Sequence, residues 1–181
     1  MAHSVRRLSC AAAAAVLLGC LGPALLAVAA DALDTSLYRG GGWTDDRGRA
    51  VDLADYAGRR TALTMAYSTC KRTCSFTLKK LLALQADADR DGVAMEFVIV
   101  SYDPANDDAA AWRDYRNRHH LHRDNWHFLT AGSAQTRALA ARLGLADYWS
   151  YDDHVMHDFA IVLLNREGRI EKRFGWSDQS G

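Results

Sequence analysis

From residue 61 onward, short strand-like runs, most of them apolar, alternate with longer stretches whose apolar residues recur at helical spacing. Thr61 to Ser68 is a β-rich run without charge, the pattern of a buried strand. Cys70 to Asp89 follows a helical pattern, with Leu78, Leu81, Leu82 and Leu84 at core-facing spacings. Ala94 to Ser101 is a second apolar strand, ended by Asp103-Pro104. Asp107 or Asp108 can cap a helix running to about Arg118. Trp126 to Thr130 predicts a third strand, and Ser133 to Leu143 a third helix ended by Gly144. Phe159 to Leu164 and Arg169 to Phe174 flank Asn165-Arg166-Glu167-Gly168, a hairpin signal. Asp45-Asp46-Arg47-Gly48, between two short extended stretches, predicts another hairpin upstream.

The predicted order is β-hairpin, β, α, β, α, β, α, β-hairpin. Strands alternating with helices imply an α/β fold with a central sheet covered on both faces. A cysteine pair just after a strand, at the start of a helix, is where a thioredoxin-like fold keeps its chemistry. The expected architecture is therefore a mixed β-sheet flanked by helices, with an N-terminal β-hairpin.

The first thirty residues do not fit that pattern. Arg6 and Arg7 precede an apolar run from Leu8 to Ala30, and no acidic residue occurs before Asp31. A basic start, an apolar core and an Ala-Val-Ala-Ala exit read as a secretory signal cleaved after Ala29 or Ala30. The run is also long enough to span a bilayer uncleaved, since about 20 apolar residues suffice. Leu17-Leu18-Gly19-Cys20 approaches a lipobox that would lipidate Cys20. Export is common to all three readings, with residues 1–30 as signal peptide or N-terminal membrane anchor and 31–181 as one folded domain. The implied location is periplasmic and membrane-associated.

Arg6 and Arg7 belong to the targeting segment, so 20 of the 22 Lys+Arg remain against 22 Asp+Glu and the domain's formal charge is −2. No clustered basic face suggests nucleic acid. Gly40-Gly41-Gly42 is a short joint, and no repeat follows it.

Cysteine usage narrows the chemistry. Cys10 and Cys20 lie in the targeting segment, leaving Cys70 and Cys74. A structural disulfide closing so short a loop would add little stability, because the entropic gain scales with loop length. Spaced at i and i+4, the two thiols would lie about one helical turn apart and face one point. That reach also suits a disulfide, so the pair can alternate between S–S and two thiolates. Helix N-terminal amides, Lys71 and Arg72 favour thiolate. Two soft sulfur ligands in an exported protein point to Cu(I) before zinc or iron.

Two sulfurs leave such an ion under-coordinated. His157, just before the strand from Phe159, is the leading third ligand, with His154 and Met156 as alternatives. His119, His120 and His122, with His127 close behind, read as a solvated helix end or a secondary copper-loading patch.

Tyr67-Ser68-Thr69-Cys70-Lys71-Arg72-Thr73-Cys74 resembles the Cys-x-x-x-Cys loop of the Sco/SenC proteins, copper chaperones of cytochrome c oxidase assembly. Val100-Ser101-Tyr102-Asp103-Pro104-Ala105-Asn106-Asp107 is similar to their Asp-Pro-x-x-Asp stretch, and Trp126 to Thr130 to their Trp-x-Phe-Leu-Thr strand. His157 stands before Gly168 at the family's spacing from copper histidine to hairpin glycine. Ser75 departs from the proline often found after the second cysteine. The resemblance, from about Gly42 to Trp176, implies a thioredoxin-like fold and copper bound by Cys70, Cys74 and His157. It also implies delivery to the copper-accepting subunit of cytochrome c oxidase or another cuproprotein, and a thioredoxin-like reductant as a second partner.

The competing function is a thiol–disulfide reductase that keeps the target's cysteines reduced. One thiolate, from Cys70 or Cys74, would attack the target disulfide and the other would resolve the mixed disulfide. A peroxiredoxin would want threonine where Tyr67 stands, and structural zinc a fourth ligand, with His154 turned back toward His157. Asp103 and Asp107 read as a strand-end turn and a helix cap.

Overall fold

The structure, a computed structural model, describes residues 41–70, 73–151 and 154–175, the side chains of Thr73 and Cys74 excepted. The apolar N-terminal segment and the residues Lys71 and Arg72 lie outside the described residues. Among the described residues, no helix is long and apolar enough to cross a membrane.

The elements follow the predicted alternation. Strands β1 (Trp43–Asp45) and β2 (Ala50–Val51) form the first hairpin, and a short 3-10 turn covers Leu53–Tyr56. Then come β3 (Arg60–Ala66), α1 (Thr73–Arg90), β4 (Met95–Ser101), α2 (Ala109–Arg118), β5 (Trp126–Thr130) and α3 (Ser133–Arg142). Strands β6 (Trp149–Tyr151), β7 (His154–Met156), β8 (Ile161–Leu164) and β9 (Ile170–Phe174) close the chain. Seven strands make one mixed sheet in the order β2-β1-β5-β4-β3-β8-β9. Strands β3, β4 and β5 run parallel, and β1 and β8 flank them antiparallel.

The near-continuous apolar runs of β3 and β4 are explained by burial on both sheet faces. Phe97 and Ile99 point one way, Val98 and Val100 the other, and all four are buried. Leu81 of α1 and Tyr115 of α2 pack on the face that presents Thr64, Ile99 and Phe128. The parallel strands therefore all end on one edge of the core, where the next residues are free to build a site.

Several expectations need correction. The described part of helix α1 runs from Thr73, and Cys70 is not helical but closes a turn through its N–H to the Tyr67 carbonyl (3.2 Å). The two cysteines therefore do not share one continuous helix. Leu82 is 46% exposed, on the outer side of α1, while Leu81 faces the core. Asp108, not Asp107, caps α2 by accepting from the Ala111 N–H. Strand β8 begins at Ile161, and the Ala160 carbonyl just ahead of it accepts the Thr64 hydroxyl (2.7 Å). The hairpin of β6 and β7 was not foreseen at all; among the described residues it forms a separate two-stranded sheet.

Candidate metal centre

The site lies beyond the C-terminal ends of β3 and β4. Parallel pairing puts Ala66 beside Ser101, so the next residues, Tyr67 and Tyr102, emerge together. The Tyr102 N–H donates to the Ala66 carbonyl at 2.8 Å, extending the ladder by one bond. Both tyrosines are buried, and between them sits His157. Its imidazole stacks on Tyr102 with centroids 4.5 Å apart and planes at 29°, and meets the edge of Tyr67 at 5.7 Å.

The hydrogen bonding of that ring decides what it can do. Its Nδ1–H donates to the Asp158 carbonyl at 2.7 Å, so that in the neutral ring the lone pair lies on Nε2. Nε2 is buried and has no hydrogen-bond partner among the described residues. A buried imidazole nitrogen left without a partner is costly unless something accepts its lone pair. A metal ion is such a partner, and an Nδ1–H bound to a backbone carbonyl is the usual support of a ligating histidine. The donor thus fits a soft or borderline metal.

The strand ends are fastened by Asp107. Its Oδ1 accepts the Ser68 N–H at 2.9 Å and its Oδ2 the Ser101 hydroxyl at 2.6 Å. Burial pushes this carboxyl above its ordinary range, and the hydrogen bonds from Ser101 and Ser68 oppose that shift. The Arg118 guanidinium holds the Ser68 carbonyl at 3.2 Å. Ser68, two residues before Cys70, is therefore gripped on both its N–H and its C=O.

Cys70 is half-buried against the core. Cys74 is the second residue of α1, its side chain outside the described residues. Two ring contacts bring these segments toward His157. Tyr67, three residues before Cys70, touches the imidazole. Phe76, two residues after Cys74, meets Phe159, two residues after His157, at 5.1 Å. Among the described residues, no three of His, Cys, Asp and Glu converge on one point.

The other histidines sit elsewhere. His154 is exposed, as is Met156. His119 follows α2 and packs on Tyr115 at 4.4 Å, while His120 and His122 are exposed with ring centroids 6.2 Å apart. His127 bonds Glu96 at 2.7 Å. Tyr67, Tyr102 and Asp107 were missed as site components. The sequence signal for the tyrosines is position, since each directly follows the uncharged C-terminal run of a strand, residues 61–66 or 97–101.

A mixed sheet whose parallel strands β3 and β4 lead, at one edge, into a segment carrying Cys70 and two tyrosines that hold a half-buried imidazole defines the class as thioredoxin-like. The SCO1/SenC family model matches residues 42–180, and the chain belongs to that family. No curated protein matches it. It is similar to the solved structure of Arabidopsis thaliana ScoI with copper bound, at 23% identity over 77% of this chain and 88% of that one (TM-score 0.66). A SCO1/SenC family lipoprotein from Bacillus anthracis str. Ames shares 17% identity over 75% and 83% (TM-score 0.68). BsSco, a member of the Sco family of cytochrome c oxidase assembly proteins with an identified disulfide switch, shares 19% over 76% and 81% (TM-score 0.66). At these identities the likeness carries the fold.

Proposed function

We propose that the chain is a copper metallochaperone that binds one copper ion through Cys70, Cys74 and His157. It passes the ion to the copper-accepting subunit of cytochrome c oxidase or another cuproprotein. The observation that carries this reading is the buried Nε2 of His157, which has no hydrogen-bond partner among the described residues, on a ring that touches Tyr67 just ahead of Cys70. Pure dithiol exchange has no use for that nitrogen, whereas a two-thiolate copper site lacks one ligand without it. Membership of SCO1/SenC, and the copper held by the Arabidopsis relative, support the same choice. Three-coordinate Cu(I) leaves a position open for an incoming thiolate, so the ion can change hands one ligand at a time. The working location is the periplasm, with residues 1–30 delivering the domain to the membrane.

The alternative is a thiol–disulfide reductase acting through Cys70 and Cys74, with a thioredoxin-like reductant behind it. His157→Ala separates the two, because it leaves both cysteines and α1 intact. As a chaperone, the variant binds copper more weakly and loses oxidase assembly at matched abundance and melting temperature. A stably folded His157→Ala protein that fully rescues oxidase activity would replace copper delivery with thiol reduction.

A further inference from the structure

The β6–β7 hairpin carries exposed side chains that the dithiol-imidazole centre does not use. Its register sets Trp149 opposite Met156, Tyr151 opposite His154, and Ser150 opposite Val155. Directly opposed residues of an antiparallel pair share a face. Trp149, Tyr151, His154 and Met156 therefore form one face, and Val155, buried, belongs to the other. Trp149 is 59% exposed, Tyr151 66% and Met156 49%. Three large side chains in water on so short a hairpin mark a functional surface better than a structural one. His157 follows Met156 directly and lies against Tyr102.

His154 and Met156 are two residues apart on one strand face, about 7 Å along the chain. An imidazole nitrogen and a thioether sulfur can converge on one ion from there. The thioether is soft and uncharged, which selects Cu(I) over harder ions. An indole opposite Met156 can cover a monovalent cation with its π-face. A two-ligand site suits a monovalent d10 ion.

We propose that the outer face of the β6–β7 hairpin is a second, weaker cuprous site, with His154 and Met156 as ligands and Trp149 as its aromatic cover. It rests on the copper reading of the chain and adds the port through which the ion enters. Both ligands are neutral, so the ion keeps its single positive charge, and no electron moves. Transfer inward then exchanges a thioether for thiolates, ligand by ligand, and runs downhill because thiolates bind Cu(I) more strongly.

The test uses the full-length chain with all thiols alkylated, or carrying Cys70→Ser and Cys74→Ser with the remaining thiols alkylated. Either form is titrated anaerobically with Cu(I) while the methyl carbons of its four methionines are followed by NMR. The Met156 methyl resonance should move alone, saturating at one equivalent. Met156→Leu and His154→Ala should each weaken that binding about tenfold. In the unblocked protein Met156→Leu should slow copper loading while leaving the final affinity unchanged. A Met156 methyl that does not move, or a Met156→Leu variant that binds like the parent, overturns the port and leaves the face to a protein partner. Failure of the underlying reading looks different, because then the unblocked protein takes up no copper at Cys70, Cys74 and His157.

Discussion

The two ends of the parallel strands each carry a half-buried histidine, and the two are finished differently. At the end where the strands begin, His127 Nε2 meets Glu96 at 2.7 Å, and Arg59 holds the same carboxylate at 2.9 Å. The His127 ring lies against Tyr56 at 4.8 Å. At the other end His157 has equally good ring packing and an anchored Nδ1, yet its Nε2 has no hydrogen-bond partner among the described residues. Both rings are packed, but His127 spends its Nε2 on Glu96, while among the described residues His157 Nε2 has no such partner. A histidine whose Nε2 is tied to a carboxylate holds a fold together, while one whose buried Nε2 is unspent is poised to bind.

The sharpest way to break this contrast is to remove the thiolates. Cys70→Ser or Cys74→Ser should abolish tight copper binding, a loss of at least about a hundredfold, because two thiolates supply most of the ligand energy for a soft ion. Oxidation to the disulfide should empty the site as well, since no thiolate remains to bind the ion. A competition titration against a copper chelator checks both, and full-strength binding by a single-cysteine variant would defeat the three-ligand site.

Asp107→Ala tests whether the strand ends are held as described. It strands the Ser68 N–H and the Ser101 hydroxyl without their acceptor, at about 1–3 kcal/mol each. Denaturant unfolding should show a loss of roughly 2–4 kcal/mol, together with weaker copper binding, because Ser68 positions the cysteine loop. Equal copper affinity in the variant would show that the clasp matters to stability alone.

At the opposite end, His127→Ala should cost about 1–2 kcal/mol of stability, through a lost partner for Glu96 and lost packing on Tyr56. Copper binding should not change. A fall in copper affinity without loss of stability would erase the distinction between the two histidines.

The smallest effect concerns pH. Burial first, then the charges of Arg118 and His120, hold the His119 imidazole below its ordinary value of 6.5. As pH falls, the unfolded chain takes up this proton before the folded one. The contribution is complete above about 6.5 and is lost as pH falls through the lower folded value. Melting temperatures between about pH 7.5 and pH 5.5 should therefore fall slightly less in His119→Gln than in the parent; identical slopes would remove His119 from the pH response.

Strands with long apolar runs were legible because burial on both faces leaves few charges in β3 and β4. Helix α2 was legible from its cap region, although the choice between Asp107 and Asp108 depended on tertiary partners. Asp107 is drawn inward by Ser68 and Ser101, two contacts that no local pattern reveals. The β6–β7 hairpin escaped because each strand has three residues and exposes its large side chains, the reverse of the pattern a core strand shows. Leu82 misled for a related reason, since adjacent leucines cannot both face the core from one helix side. His157 stood out by its place before a core strand and by the family resemblance. Its tyrosine cradle came from pairing β3 with β4, a long-range fact.

The near-parallel stacking of His157 on Tyr102 also gives the molecule a built-in magnetic marker. An aromatic ring shields nuclei that lie over its face, and at 29° the imidazole sits closer to that geometry than His119 on Tyr115 at 46° or His127 on Tyr56 at 50°. The carbon-bound ring protons of His157 should therefore resonate upfield of those of the other histidines. Any event that tilts the ring away from Tyr102 would return them toward ordinary positions. One pair of proton signals would then report the state of the site with no added label.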